Sequence, residues 1–127
     1  MIERLIESKV NDVNDFEWQA KMRTNWSQDD EAIVQCGGWS MNMGYEYLGT
    51  YNRLAISPLT DRYFVYMASS LREKSSVMFQ CIPEHQFAAT IVEEMASLCA
   101  VPFKTIACSE HTNLASLTQL LNGVAMS

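Results

Sequence analysis

A chain of 127 residues has room for one small domain or for a piece of a larger one. A hydrophobic content of 48% is too high for a disordered chain, and a net charge of −6 argues against a nucleic-acid surface, which needs clustered Lys and Arg. No apolar run approaches the roughly 20 residues of a membrane span. The acid-bearing start MIERLIESKV is not expected to be a signal peptide. Four cysteines without paired spacing (Cys36, Cys81, Cys99, Cys108) fit reduced thiols in a cytosolic compartment.

In chain order, Ile2, Leu5, Ile6, Val10 and Val13 fall at helical spacing. Asn14, followed three residues later by Glu17, reads as a capping box opening a second helix. In that helix Trp18, Met22 and Trp26 share one face by their four-residue spacing, and that face is expected to dock on another domain, another chain or this chain's own sheet. Ser27–Glu31 reads as a polar loop, Ala32–Cys36 as a short strand, and Gly37-Gly38 as a break.

The next stretch, MGYEYLGTYNRLAISPLTDR from Met43 to Arg62, organises the chain. Gly44 and Gly49 bracket a tyrosine cluster (Tyr45, Tyr47, Tyr51) expected to pack around a turn. Ser57-Pro58 reads as an N-cap and first helical residue, because proline's missing N–H is an orphan donor there. Tyr63, Phe64, Met67, Ala68 and Leu71 mark the amphipathic helix that follows. Ser76–Ile82 reads as a buried strand, about Glu84–Cys99 as a helix with Phe87, Ile91, Met95 and Leu98 inward, and Phe103–Cys108 as another strand. Leu114, Leu117, Leu120, Leu121 and Val124 form a last helical stripe. Strand, helix, strand, helix is the pattern of a parallel α/β unit.

Residues Gly44 to Gly49, then Arg53, Leu54, Ile56, Pro58, Leu59, Thr60, Asp61 and Arg62, resemble a dynein heavy chain of axonemal type at the start of its first AAA+ module. Upstream, Val13-Asn14-Asp15-Phe16-Glu17-Trp18 resembles the end of that family's linker. Downstream, Ala107-Cys108-Ser109-Glu110 resembles the segment after the second core strand. The resemblance implies an α/β fold: a partial AAA+, P-loop NTPase-like core with parallel strands over 32–127, preceded by a helical linker-end segment over 1–31. It also implies a motor-protein setting of dynein complex, microtubule, axoneme and cilium, within the cytoplasmic cytoskeleton.

An AAA+ module places a phosphate-binding loop after its first core strand, here at about Ile82–Ala89, IPEHQFAA. The family pattern there is Gly-Pro-Ala-Gly-Thr-Gly-Lys-Thr, whose glycines admit phosphates to backbone N–H groups and whose lysine neutralises them. Pro83 matches the proline, Glu84 puts negative charge where phosphate should sit, and the lysine and threonine positions fall near Ala88 and Ala89. No glycine lies between Gly49 and Gly123, and no lysine between Lys74 and Lys104. The loop is therefore degenerate. ATP/ADP and Mg binding, which the family has, is expected to be lost, and this chain alone is expected to be no enzyme. Pro58, Leu59 and Thr60 match positions beside the adenine, a vestigial base side, and equally suit a simple helix start.

Cys81-x3-His85 and Cys108-x2-His111 have spacings seen in zinc sites, but the two strands are not expected to be neighbours, so no metal is expected. Two functions remain. One is a structural or interaction component of a ciliary assembly, bound to a protein partner, to dynein or axonemal components, or to itself through an exposed half-core and the Trp18/Met22/Trp26 face. The other is a truncated segment of a dynein motor ATPase whose hydrolysis and microtubule movement reside elsewhere.

Overall fold

The computed structural model describes residues 2–47, 49–50, 53–81 and 87–126. Their elements are α1 (Ile2–Glu7), α2 (Phe16–Gln19), β1 (Arg23–Trp26), β2 (Ala32–Cys36), β3 (Trp39–Asn42), α3 (Pro58–Arg72), α4 (Phe87–Cys99) and α5 (Leu114–Met126). The strands form one antiparallel sheet in the order β1-β2-β3. Mixed helix and strand is thus correct. The expected parallel strands are not found among the described residues.

The sheet follows from two turns. Gly37 and Gly38 have φ of +56° and +86°, and positive φ at both central residues is what a two-residue hairpin turn of the right twist needs. The glycine pair expected to break a strand instead closes the hairpin with Cys36 opposite Trp39. The other turn, Ser27–Glu31, carries Asp30 at φ +66°, a residue type that tolerates the left-handed region. It pairs Trp26 with Ala32, so the expected 31/32 division falls inside this hairpin.

The expected second helix is correspondingly short. Its N-cap is Asp15, which accepts the Glu17 N–H at 3.0 Å, while Asn14 bonds Asp12 and makes no capping box. After Gln19 the chain turns extended, because Arg23–Trp26 gain a ladder with β2, which outweighs a weak helical preference for Thr, Asn and Trp. Trp18, Met22 and Trp26 therefore share no helical face. Trp18 lies under the Arg23 guanidinium, 5.3 Å from its ring; Met22 packs against the core; Trp26 stands exposed.

Val34, Cys36 and Trp39 supply the sheet's share of the core, Phe64, Met67 and Ala68 that of α3, and Ile91, Met95 and Cys99 that of α4. Alternation puts Val34 and Cys36 on one face of β2, opposite Met41 and Trp39 of β3. Helix α3 contacts β2, β3 and α4 and is their shared neighbour. Each large apolar side chain buried there contributes about 1.5–3 kcal/mol.

Residues 75–81 and 101–109 belong to no helix and no ladder. An apolar run becomes a strand only where another backbone hydrogen-bonds to it, and among the described residues the ladders join only β1, β2 and β3. The expected strand at Ser76–Ile82 is instead pinned by rings: Phe79 meets Tyr63 of α3 edge-on, with centroids 5.6 Å apart. The predicted helix starting near Glu84 is described from Phe87 onward. The Leu-rich helix α5 forms as expected but buries none of its residues. Tyr45 and Tyr47, expected to pack around a turn, stand 99% and 91% exposed, while Tyr51 lies outside the described residues.

Candidate functional site

Helix α3 begins as its sequence dictates. Ser57 is the N-cap, Pro58 follows it, and Ser57 and Thr60 cap each other reciprocally: the Ser57 N–H donates to Thr60 Oγ1 at 2.8 Å and the Thr60 N–H to Ser57 Oγ at 3.2 Å. This fixes the direction in which segment 53–56 arrives.

That segment forms one wall of a cleft of about 120 Å³, with Arg53, Leu54, Ala55 and Ile56 facing Thr60, Asp61 and Phe64 of α3 and Glu94 and Leu98 of α4. Met22 and Thr24 close it from the sheet side. Of the three base-side residues expected from the sequence, Thr60 lines the cleft and is 3% exposed, whereas Pro58 and Leu59 lie exposed on the first turn of α3. The Thr60 hydroxyl is engaged by the cap, donating to the Ser57 carbonyl at 2.9 Å.

Two charged residues, one lining this cleft and one bonded to its wall, were not foreseen. Glu94 of α4 is 6% exposed; its Oε2 accepts the Leu54 backbone N–H at 3.2 Å, and its Oε1 lies 3.5 Å from Arg53 Nε. Lys21, just before β1, pairs with Asp61 in the first turn of α3, where the helix dipole also favours an acid. The sequence held a signal for Glu94: it sits three residues after Ile91 and four before Leu98, a carboxylate inside an apolar stripe. Nothing local marks Lys21.

On the expected phosphate side, Pro83 and Glu84 lie outside the described residues. Ala88, half-buried, and Ala89, exposed, occupy the first turn of α4. The flanks of that loop converge: Phe79 before it and Phe87 after it both meet Tyr63, the second pair with centroids 5.8 Å apart. His85 is likewise outside the described residues, and Cys81, Cys108 and His111 are exposed. Among the described residues no group of three His, Cys, Asp or Glu side chains is placed to hold a metal ion, and no helix is long and apolar enough to cross a membrane.

Burial holds both core thiols back from ionising. Cys36 and Cys99 are each pushed up to about 11 from 9.0, in Cys36 chiefly by desolvation with Arg23 opposing, in Cys99 by desolvation.

The family model described as "Hydrolytic ATP binding site of dynein motor region" matches residues 43–127, which include the capped helix α3, segment 53–56 and α4 but not the sheet side of the cleft. This chain belongs to that dynein motor-region family. Dynein axonemal heavy chain 2 of Mus musculus is 28% identical over 128 residues, covering 100% of this chain and 3% of that protein. The cytoplasmic dynein heavy chain of Paramecium tetraurelia is 36% identical over 76 residues, covering 56% of this chain and 2% of that protein. Dynein axonemal heavy chain 3 of Homo sapiens is 39% identical over 72 residues, covering 57% and 2%. The chain thus spans about 3% of the length of the first of these dynein relatives. The AAA+ fold class fits the matched model, and the dynein resemblance read from Gly44–Arg62 is correct. The expectation of no enzyme is not: the model matched over 43–127 is that of a hydrolytic ATP-binding site, and the relatives are dynein heavy chains. A missing lysine and missing glycines do not remove the chain from that family.

Proposed function

We propose that this chain is a nucleotide-site segment of a dynein-type motor protein, in which the base side is built and the phosphate side is weak. The observation that carries this reading is the cleft between segment 53–56, α3 and α4, whose apolar floor (Leu54, Phe64, Leu98) and capped helix start suit a nucleobase. The weak phosphate side follows from IPEHQFAA: without a lysine there is no charge-assisted bond to the β- and γ-phosphates, and Glu84 repels them. The setting is a microtubule-based assembly, axonemal or cytoplasmic, within the cytoskeleton. Calorimetry with adenosine, ADP and ATP, with and without Mg²⁺, tests this. Adenosine and ATP should bind within about threefold of each other, with no effect of Mg²⁺. ATP binding more than tenfold tighter with Mg²⁺ overturns the weak phosphate side, and no binding by any of the three overturns the nucleotide reading.

A second reading is an interaction piece of such an assembly. An apolar groove of about 660 Å³, lined by Trp39, Met41, Met67, Phe79, Val92 and Met95 among others, stays open. Helix α5 carries no charged residue and leaves Leu114, Leu121 and Val124 exposed. Bare surfaces of this kind favour a protein partner or a second copy of the chain. The Trp18/Met22/Trp26 face has no part in this, since it does not form. Sedimentation at micromolar concentration should show self-association or require a partner for stability; a well-folded monodisperse monomer ends this reading.

A further inference from the structure

We propose that Glu94 is the positioning residue of this cleft, its carboxylate setting where segment 53–56 stands and thereby the cleft's affinity for a nucleobase; this rests on the nucleotide reading above. Segment 53–56 belongs to no helix and no ladder. Among the described residues it is tied down by side chains on both sides. From α4, Glu94 accepts the Leu54 N–H at 3.2 Å and faces Arg53 Nε at 3.5 Å. From α3, the Thr60 hydroxyl reaches the Ala55 carbonyl at 3.4 Å. The Thr60 contact is long and shared with the Ser57 carbonyl at 2.9 Å, so the Glu94 bond is the stronger tie.

The burial of Glu94 also calls for an explanation. A carboxylate that is 6% exposed in a cleft it shares with Leu54, Phe64 and Leu98 loses its water and is tolerated only when hydrogen-bonded or paired. Its partners here, a backbone N–H and a guanidinium that is itself 64% exposed, belong to adjacent residues of the same segment. Burial of the acid and placement of the wall are therefore one arrangement. Moving segment 53–56 away leaves Glu94 unpaired, and removing Glu94 leaves the Leu54 N–H unbonded and the wall free to drift from α4. The rest of the wall stays available: neither Ala55 nor Ile56 has a hydrogen bond from its N–H among the described residues.

Amide exchange at Leu54 and adenosine affinity, measured on the native chain and on Glu94→Gln and Glu94→Leu, test the assignment. Glu94→Gln keeps an acceptor of the same reach, so Leu54 should stay protected and adenosine affinity should stay within about threefold. Glu94→Leu keeps the volume and removes the acceptor, so Leu54 should exchange at least tenfold faster and adenosine affinity should fall at least tenfold, with the helical circular dichroism unchanged. Where Glu94→Leu does not fold, Glu94→Asp draws the carboxylate back by one methylene and should give the same two losses. Native-like exchange and affinity in both Glu94→Leu and Glu94→Asp overturn the proposal. A native chain whose Leu54 amide is protected but which binds no adenosine overturns the nucleotide reading, and with it any role of Glu94 in binding.

Discussion

Gly44 lies so close to Ala100 that a Cβ at position 44 would stand 2.0 Å from the Ala100 carbonyl oxygen. The approach is held by two backbone bonds, Gly44 N–H to the Cys99 carbonyl at 2.8 Å and Glu46 N–H to the Ala100 carbonyl at 3.1 Å. The chain leaving β3 thus satisfies carbonyls at the C-terminal end of α4. In Gly44→Ala the severe clash is with the Ala100 carbonyl, which is backbone and not the end of a flexible side chain, so the segment must lift and lose both bonds. We expect a loss of about 3 kcal/mol or more, among the larger effects a single substitution produces. Urea unfolding followed by circular dichroism checks it; a loss below about 1 kcal/mol would show that the two segments separate freely.

Three helices end in one geometry without glycine. Lys9, Lys74 and Ala100 have φ of +53°, +53° and +50°. In each the following residue donates the closing bond: Val10 N–H to Leu5 O, Ser75 N–H to Ser70 O, and Val101 N–H to Ala96 O. A side chain in the left-handed region costs about 1 kcal/mol that glycine avoids. Lys74 is exposed, so no packing is lost with it. Lys74→Gly should therefore raise stability by up to about 1 kcal/mol, whereas Lys74→Val, β-branched at the same φ, should lower it. Thermal melts of the two variants suffice, and the opposite order would mean that α3 does not end this way.

What was legible in the sequence was local. Ser57-Pro58 and the stripe through Phe64, Met67 and Ala68 announced α3, and Ala32–Cys36 announced β2, because capping and alternation act within a few residues. β1 was hidden because Trp18, Met22 and Trp26 imitate helical spacing while the ladder to Ala32–Gln35 decides the conformation. Gly37-Gly38 reads equally as a break or as a hairpin turn, and the pairing of Cys36 with Trp39 decides between them. Strands at 76–82 and 103–108, members of a parallel sheet without being neighbours in it, are read from apolarity, which does not encode a partner strand. At the cleft, Thr60 was foreseen and Glu94 was readable from its stripe. The Lys21–Asp61 pair joins residues 40 apart and leaves no local trace.

That pair ties the segment before β1 to the first turn of α3, both side chains being 17% exposed. Partial burial raises its worth above that of a surface ion pair, and desolvation takes part of it back. Lys21→Met and Asp61→Asn should each destabilise the chain, with a coupling on the order of 1 kcal/mol in a double-mutant cycle. The coupling should shrink only modestly between 0.05 and 0.5 M salt, because screening acts weakly on partly buried charges. Zero coupling would show that the two residues are neighbours without a bond.

The buried thiols make stability fall in alkali. Cys36 and Cys99 are 0% and 2% exposed, and each ionises near 11 in the folded chain against 9.0 for an open thiol. Below pH 9 both states hold the thiol proton and stability is independent of it. Between pH 9 and 11 the unfolded chain has released its thiol protons while the folded chain still holds them, so the unfolded state binds fewer protons and stability drops with rising pH. The loss should be on the order of 2 kcal/mol per thiol by pH 11. Cys36→Ala and Cys99→Ala, although less stable at neutral pH for loss of packing, should each flatten part of that slope. The same burial predicts two classes of thiol towards a disulfide reagent at pH 8. Cys81 and Cys108, exposed, should react at once, and Cys36 and Cys99 only through opening of the core. Four equally fast thiols in the folded chain would mean that the core of Val34, Phe64, Ile91 and Met95 does not close over them.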